Sequence, residues 1–205
     1  MARASTDAGA VRVLFGQRTA PIQHLAEQAG QIADACRAMA ARFHDGGKLV
    51  VFGSGEQCAD AQHVAVEFVH PVIVGKRALP AISLTGDVAT LTGVASRAGF
   101  AEIFTHQLRF LAEPHDIALG LAGNGNHDDV VRALAHARQL GMLTVAMVGA
   151  DPVTAPARLA DHVLTAHSAD PRVVKEVHVT TYHLLWELVH VFLERPDPLA
   201  SGAVA

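Results

Sequence analysis

Five short apolar runs, separated for the most part by helix-like segments, constrain the fold more than any other feature of the sequence. They read LVVFG (49–53), PAISL (80–84), DIALGLA (116–122), LTVAMVG (143–149) and DHVLTA (161–166). Each is rich in Val, Ile and Leu without polar alternation, the pattern of strands covered on both faces. Helical spacing occupies most of the gaps, over about 56–70, 100–112 and 128–139, and a last helix is expected over about 173–193. Strands alternating with helices predict one α/β domain with a five-stranded parallel sheet and right-handed crossovers. Ligands of such sheets collect beyond the carboxyl ends of the strands, so the informative residues are expected just after each run.

Ahead of the first strand, Ile22, Leu25, Ala29, Ile32, Cys36, Met39 and Phe43 recur at helical spacing, predicting an extra N-terminal helix over about 21–43. No place in the sheet is reserved for it, which makes it a candidate for packing on a neighbouring subunit. Composition agrees with assembly: half of the 205 residues are apolar and only 18% are charged. The domain is expected over 11–195, with flexible ends at 1–10 and 196–205. A net charge of −4 without a Lys/Arg cluster argues against nucleic acid as a ligand. Two cysteines, Cys36 and Cys58, lacking CxxC spacing, fit a reduced cytoplasmic chain. The N-terminal residues carry no signal-like apolar run, and no stretch of about 18 apolar residues suggests a membrane span.

Chemistry-bearing residues follow the first strand in GSGEQCADAQHVAVEFVH (53–70). The Gly-x-Gly turn is a weak signal, equally a tight strand-to-helix turn. A nucleotide-binding reading lacks a third glycine at the proper spacing and an acidic residue directly ending the second strand. His63 and Glu67 lie four apart on one helix face, where they can hold a divalent metal, act as a base with a partner, or form a surface pair. On the last helix His183, Glu187 and His190 follow a 4-then-3 step, with Lys175 and His178 one or two turns earlier. Thirteen histidines make any single one a weak signal, and Leu184, Leu185, Val189 and Phe192 assign much of that helix to core.

The series G-S-G…D-A-Q-H-x3-E, ALPAISL followed by Asp87, GF-x2-IF, and K-E-V-H-x4-H resembles the bacterial phosphoheptose isomerases from about Val11 to Glu194. The resemblance implies the sugar isomerase (SIS) fold, a flavodoxin-like three-layer sandwich, assembled as a homotetramer. It implies isomerisation of sedoheptulose 7-phosphate or a related sugar phosphate. Glu67 would be the base at the carbon beside the carbonyl and His183 the acid at its oxygen, giving an enediol. A zinc would sit on His63, Glu67 and His183. Substrate contacts are implied at Ser54, Gln57, Asp87, Asn124, Asn126, His127 and Lys175.

Two departures stand out. Lys175 occupies the position of a glutamine metal ligand. The loop of serines and a threonine that cradles phosphate in the family reads Ala122-Gly123-Asn124-Gly125-Asn126-His127 here, and Gln57 replaces a serine of the first turn. Asp128 and Asp129 open the next helix, placing carboxylates where a phosphate would use free N–H groups and the helix dipole. Two readings follow. One is an isomerase with an altered grip on the far end of its sugar. The other is a non-catalytic SIS scaffold, sensor or partner subunit, as known for the SIS protein that associates with the bacterial replication initiator. A site completed by a paralogous SIS subunit is a further variant.

Overall fold

The computed structural model describes residues 8–71, 73–124, 127–150 and 160–194. Five strands form one parallel sheet: β1 Leu49–Phe52, β2 Ala81–Ser83, β3 Ile117–Ala122, β4 Leu143–Gly149 and β5 His162–Ala166. Their order is β2-β1-β3-β4-β5, every neighbouring pair being parallel. The three central strands are buried throughout, whereas the edge strands β2 and β5 are only partly covered.

Alternate residues of β1 feed two cores. Leu49 and Val51 face one side and pack with Met39, Phe43, Phe68, Tyr182 and Val189. Val50 and Phe52 face the other side and pack with Phe104, Leu108, Val130 and Leu134. The first layer contains α1 (Ala8–Glu27), α2 (Ala29–His44), α3 (Gln57–Val69) and α7 (Pro171–Glu194). The second contains α4 (Val88–Ala98), a 3-10 turn at Phe100–Glu102, α5 (Ile103–Leu111) and α6 (Asp128–Gln139). This three-layer arrangement is the predicted one, and the five strand positions and the helices at 56–70, 128–139 and 173–193 match to within two residues.

Three helical expectations need correction. The single N-terminal helix is two, and α1 already begins at Ala8, so residues 8–10 are helical rather than part of a loose end. The break falls at Gln28, between Glu27 and Ala29, for a tertiary reason. Gln28 Nε2 donates to the Thr165 carbonyl at 2.8 Å, and the Thr165 N–H donates to Gln28 Oε1 at 2.8 Å. The side-chain amide thus takes the place of a further strand along the edge of β5. The segment expected as one helix over 100–112 opens with the 3-10 turn. Helix α4 went unrecognised because VATLTGVASRA mixes β-branched residues with Gly93 and carries little helical signal. The stretch from 196 onward lies outside the described residues. Among them, no helix is long and apolar enough to cross a membrane.

Candidate active site

The strand order reverses direction between β1 and β3, creating a crevice beyond their carboxyl ends. Gly53 makes the exit from β1 possible. A Cβ there would lie 2.8 Å from the Leu121 carbonyl oxygen and 2.9 Å from Gln57 Cβ. A cavity of about 270 Å³ opens in this region, lined by Ser54, Phe100, Ala101, Asp128 and Asp129.

Around this crevice several polar side chains are buried. Gln57 is 1% exposed, its Oε1 lacks a partner among the described residues, and its Nε2 lies 3.4 Å from Glu56 Oε1. Asn124 Nδ2 donates to the Ser168 carbonyl at 3.1 Å, leaving Oδ1 against Gly149. His127 precedes α6 without making a side-chain cap, and its Nε2 is buried without a partner among the described residues. Asp129 is 4% exposed, and its Oδ2 likewise has no partner among the described residues. Gly125 and Asn126, the latter a predicted substrate contact, lie outside the described residues.

A second constellation joins α3 to α7. His63 and Glu67 stand one turn apart, and α7 brings His183 against them. His183 Nε2 is 2.9 Å from Glu67 Oε1, and His63 Nε2 is 3.4 Å from the same oxygen. One ligand atom from each residue falls within a 4.8 Å cluster. Glu67 is buried while both histidines are nearly half exposed at their side chains, so the carboxylate forms the floor and the imidazoles the rim. Glu67 Oε2 is buried and has no partner among the described residues, which leaves an unused lone-pair edge on the anion of the cluster.

Such a donor set, two imidazoles and a carboxylate on one point, fits a divalent cation with an open position for a substrate oxygen. The sequence-predicted metal residues are therefore brought together. Lys175 is turned away from that role: its Nζ contacts both carboxylate oxygens of buried Asp60 at 2.7 Å. The ammonium is neutralised by a carboxylate on α3. Asp87 is also committed locally. It caps α4 by accepting from Thr90 N at 3.0 Å and Thr90 Oγ1 at 2.6 Å, and those bonds hold its carboxyl below the usual carboxylate range.

Sequence reasoning missed Asp60 and Tyr182. Tyr182, the only tyrosine of the chain, directs its hydroxyl to His63 Nδ1 at 2.9 Å. Burial, with the Asp60 and Glu67 carboxylates nearby, pushes its phenol well above the ordinary value, so it remains protonated. The available signals were the DAQH run for Asp60 and the place of Tyr182 directly before His183.

The fold and this helix-borne cluster define a SIS-domain protein, and the SIS domain pattern matches residues 16–149. The chain belongs to that family, and within it the chain groups with the phosphoheptose isomerases. It is 37% identical to the phosphoheptose isomerase of Desulfovibrio desulfuricans over 168 residues, covering 82% of this chain and 80% of that protein. Identity to the Aquifex aeolicus phosphoheptose isomerase is 38% over 161 residues, or 78% and 84% of the two chains. Among solved structures, a phosphoheptose isomerase from Francisella tularensis superposes with a TM-score of 0.83 at 28% identity, covering 89% of this chain and 97% of its own. The Neisseria gonorrhoeae phosphoheptose isomerase gives 0.80 at 26% identity, covering 88% and 97%.

Proposed function

We propose that the protein is an aldose–ketose isomerase acting on a sugar phosphate, sedoheptulose 7-phosphate or a relative, through an enediol. The observation that carries this reading is the division of labour within Glu67. Its Oε1 faces the two histidines, whereas Oε2 is buried and without a partner among the described residues. An unpartnered carboxylate oxygen in a partly dry site is a suitable base for a proton on the carbon beside a carbonyl. His183, rim-exposed and 2.9 Å from Glu67, is placed to exchange a proton with the carbonyl oxygen while the carboxylate moves the carbon-bound proton. A zinc held by His63, Glu67 and His183 would supply Lewis-acid polarisation of the substrate oxygens.

Several finer features belong to the same reading. Assembly as a homotetramer is supported by α1, where Val13 and Phe15 are 63% and 69% exposed. An apolar groove lined by Ile22, Leu25, Ile32, Leu184 and Leu188 runs beside that helix. Cytoplasmic residence suits free Cys36 and Cys58, since burial pushes the Cys36 thiol up to about 12 and the Cys58 thiol above its ordinary value.

One observation favours a second reading of the ligand. Asp129, which lines the cavity in the region where the resemblance puts phosphate, carries a carboxylate oxygen without a partner among the described residues. Acceptor atoms there favour a donor-bearing end, such as a hydroxyl, over a dianion. A sugar without its phosphate, or a partner subunit that completes the cradle, then fits better.

The test is isomerisation of sedoheptulose 7-phosphate and of sedoheptulose by the purified protein, with added zinc and with chelator. Turnover of the phosphate ester that falls at least about 1000-fold in Glu67→Gln is expected. Turnover of sedoheptulose alone selects the second ligand reading. A folded tetramer inactive on both sugars points to the scaffold or partner-subunit alternative.

A further inference from the structure

Tyr182 occupies an unusual place for a helix residue. It lies 1% exposed on the core side of α7, yet its neighbour His183 is nearly half exposed at its side chain, because consecutive helix residues point about 100° apart. The phenol ring packs against both histidines of the cluster, and the three rings form a near-equilateral triangle. The phenol centroid is 5.3 Å from the His63 ring at 70° and 4.8 Å from the His183 ring at 54°, and the two imidazoles are 5.5 Å apart.

A buried phenol hydroxyl normally has a hydrogen-bond partner, and among the described residues the partner of Tyr182 is His63 Nδ1 at 2.9 Å. That contact fixes the rotation of the His63 ring and so aims Nε2 at the point shared with Glu67 Oε1 and His183 Nε2. A carboxylate or a carbonyl in the position of Tyr182 would only accept, and would hold the proton on Nδ1. A hydroxyl both donates and accepts. It satisfies His63 with the proton on Nε2, directed at the Glu67 carboxylate. It equally satisfies His63 with the proton on Nδ1, leaving the Nε2 lone pair free for a cation.

We propose that Tyr182 is a positioning residue for His63: its hydroxyl locks the ring in the orientation that presents Nε2 to the Glu67–His183 cluster, in either tautomer. The metal part of this inference rests on the zinc reading above; the orientation part does not. Partners of this kind on a ligating histidine commonly change metal affinity by 10–100-fold when removed.

The variant to compare is Tyr182→Phe, which keeps the ring against both histidines and removes only the hydroxyl. His63 is 46% exposed at its side chain and the ring packing is kept, so the variant is expected to fold with a wild-type melting temperature. Two quantities are read. Zinc affinity by calorimetry is expected to fall roughly 10–100-fold, and kcat to fall with KM little changed. In metal-free protein, the His63 ring nitrogens, followed by ¹⁵N NMR, are expected to move away from their hydrogen-bonded positions, while those of His183 stay. Unchanged zinc affinity together with unchanged His63 resonances overturns the proposal. Wild-type protein that takes up no zinc overturns the metal reading alone. In that case the His63 resonances decide the role of Tyr182: a shift in Tyr182→Phe upholds it and no shift removes it.

Discussion

The Lys175–Asp60 pair shows how a buried carboxylate is accommodated. Asp60 is 5% exposed at its side chain and Lys175 38%, and both carboxylate oxygens lie 2.7 Å from the ammonium. Removing the lysine strands a buried carboxylate, which is costlier than losing an exposed pair, though solvent access on the lysine side screens part of the loss. Lys175→Ala is therefore expected to lower unfolding free energy by about 2 kcal/mol in urea titrations. Asp60→Asn in the same chain should recover most of it. An unchanged midpoint for the single variant would mean that water or a proton already compensates Asp60. Asp87 shows another kind of commitment: it is the N-cap of α4, a role its spacing to Thr90 permits without saying so.

Among the elements, the break between α1 and α2 matters most. Gln28 stops one helix and begins the next while its amide makes two 2.8 Å bonds to Thr165 on edge strand β5. Gln28→Ala leaves the backbone N–H and carbonyl of Thr165 without that amide, and two net hydrogen bonds of roughly 1 kcal/mol each suggest a loss of about 2 kcal/mol. Hydrogen exchange at the Thr165 amide should accelerate in step. Full protection of that amide in Gln28→Ala would show that another group covers the edge.

Over the whole molecule, pH acts through histidines that the fold keeps from water. Burial lowers the His178 value, although its contact with the Val148 carbonyl at 3.2 Å works the other way. His136 is lowered as well, first by burial and then by Arg109. A depressed histidine binds its proton more weakly in the folded chain than in the unfolded one. The unfolded state thus takes up protons first as pH drops below about 6.5, and stability falls by at most about 1.4 kcal/mol per pH unit for each such group. His178→Gln is expected to flatten the slope of denaturation midpoint between pH 7 and 5.5, leaving the residual slope of His136. An equal slope in both proteins would remove His178 as a contributor.

The sequence by itself determined the strand positions, most helices and the pairing of His63 with Glu67. These are local matters: buried parallel strands need uninterrupted apolar runs, and a four-residue step fixes a shared helix face. Through its ordered motifs it also pointed to His183. The tertiary structure alone decided what each polar side chain faces. Packing α7 on α3 placed His183 2.9 Å from Glu67, turned Lys175 to Asp60 and set the Tyr182 hydroxyl on His63. Docking of the first layer on β5 split the N-terminal helix at Gln28. Contacts between residues distant in the chain depend on where the helices settle on the sheet, and periodicity along the chain carries no record of that.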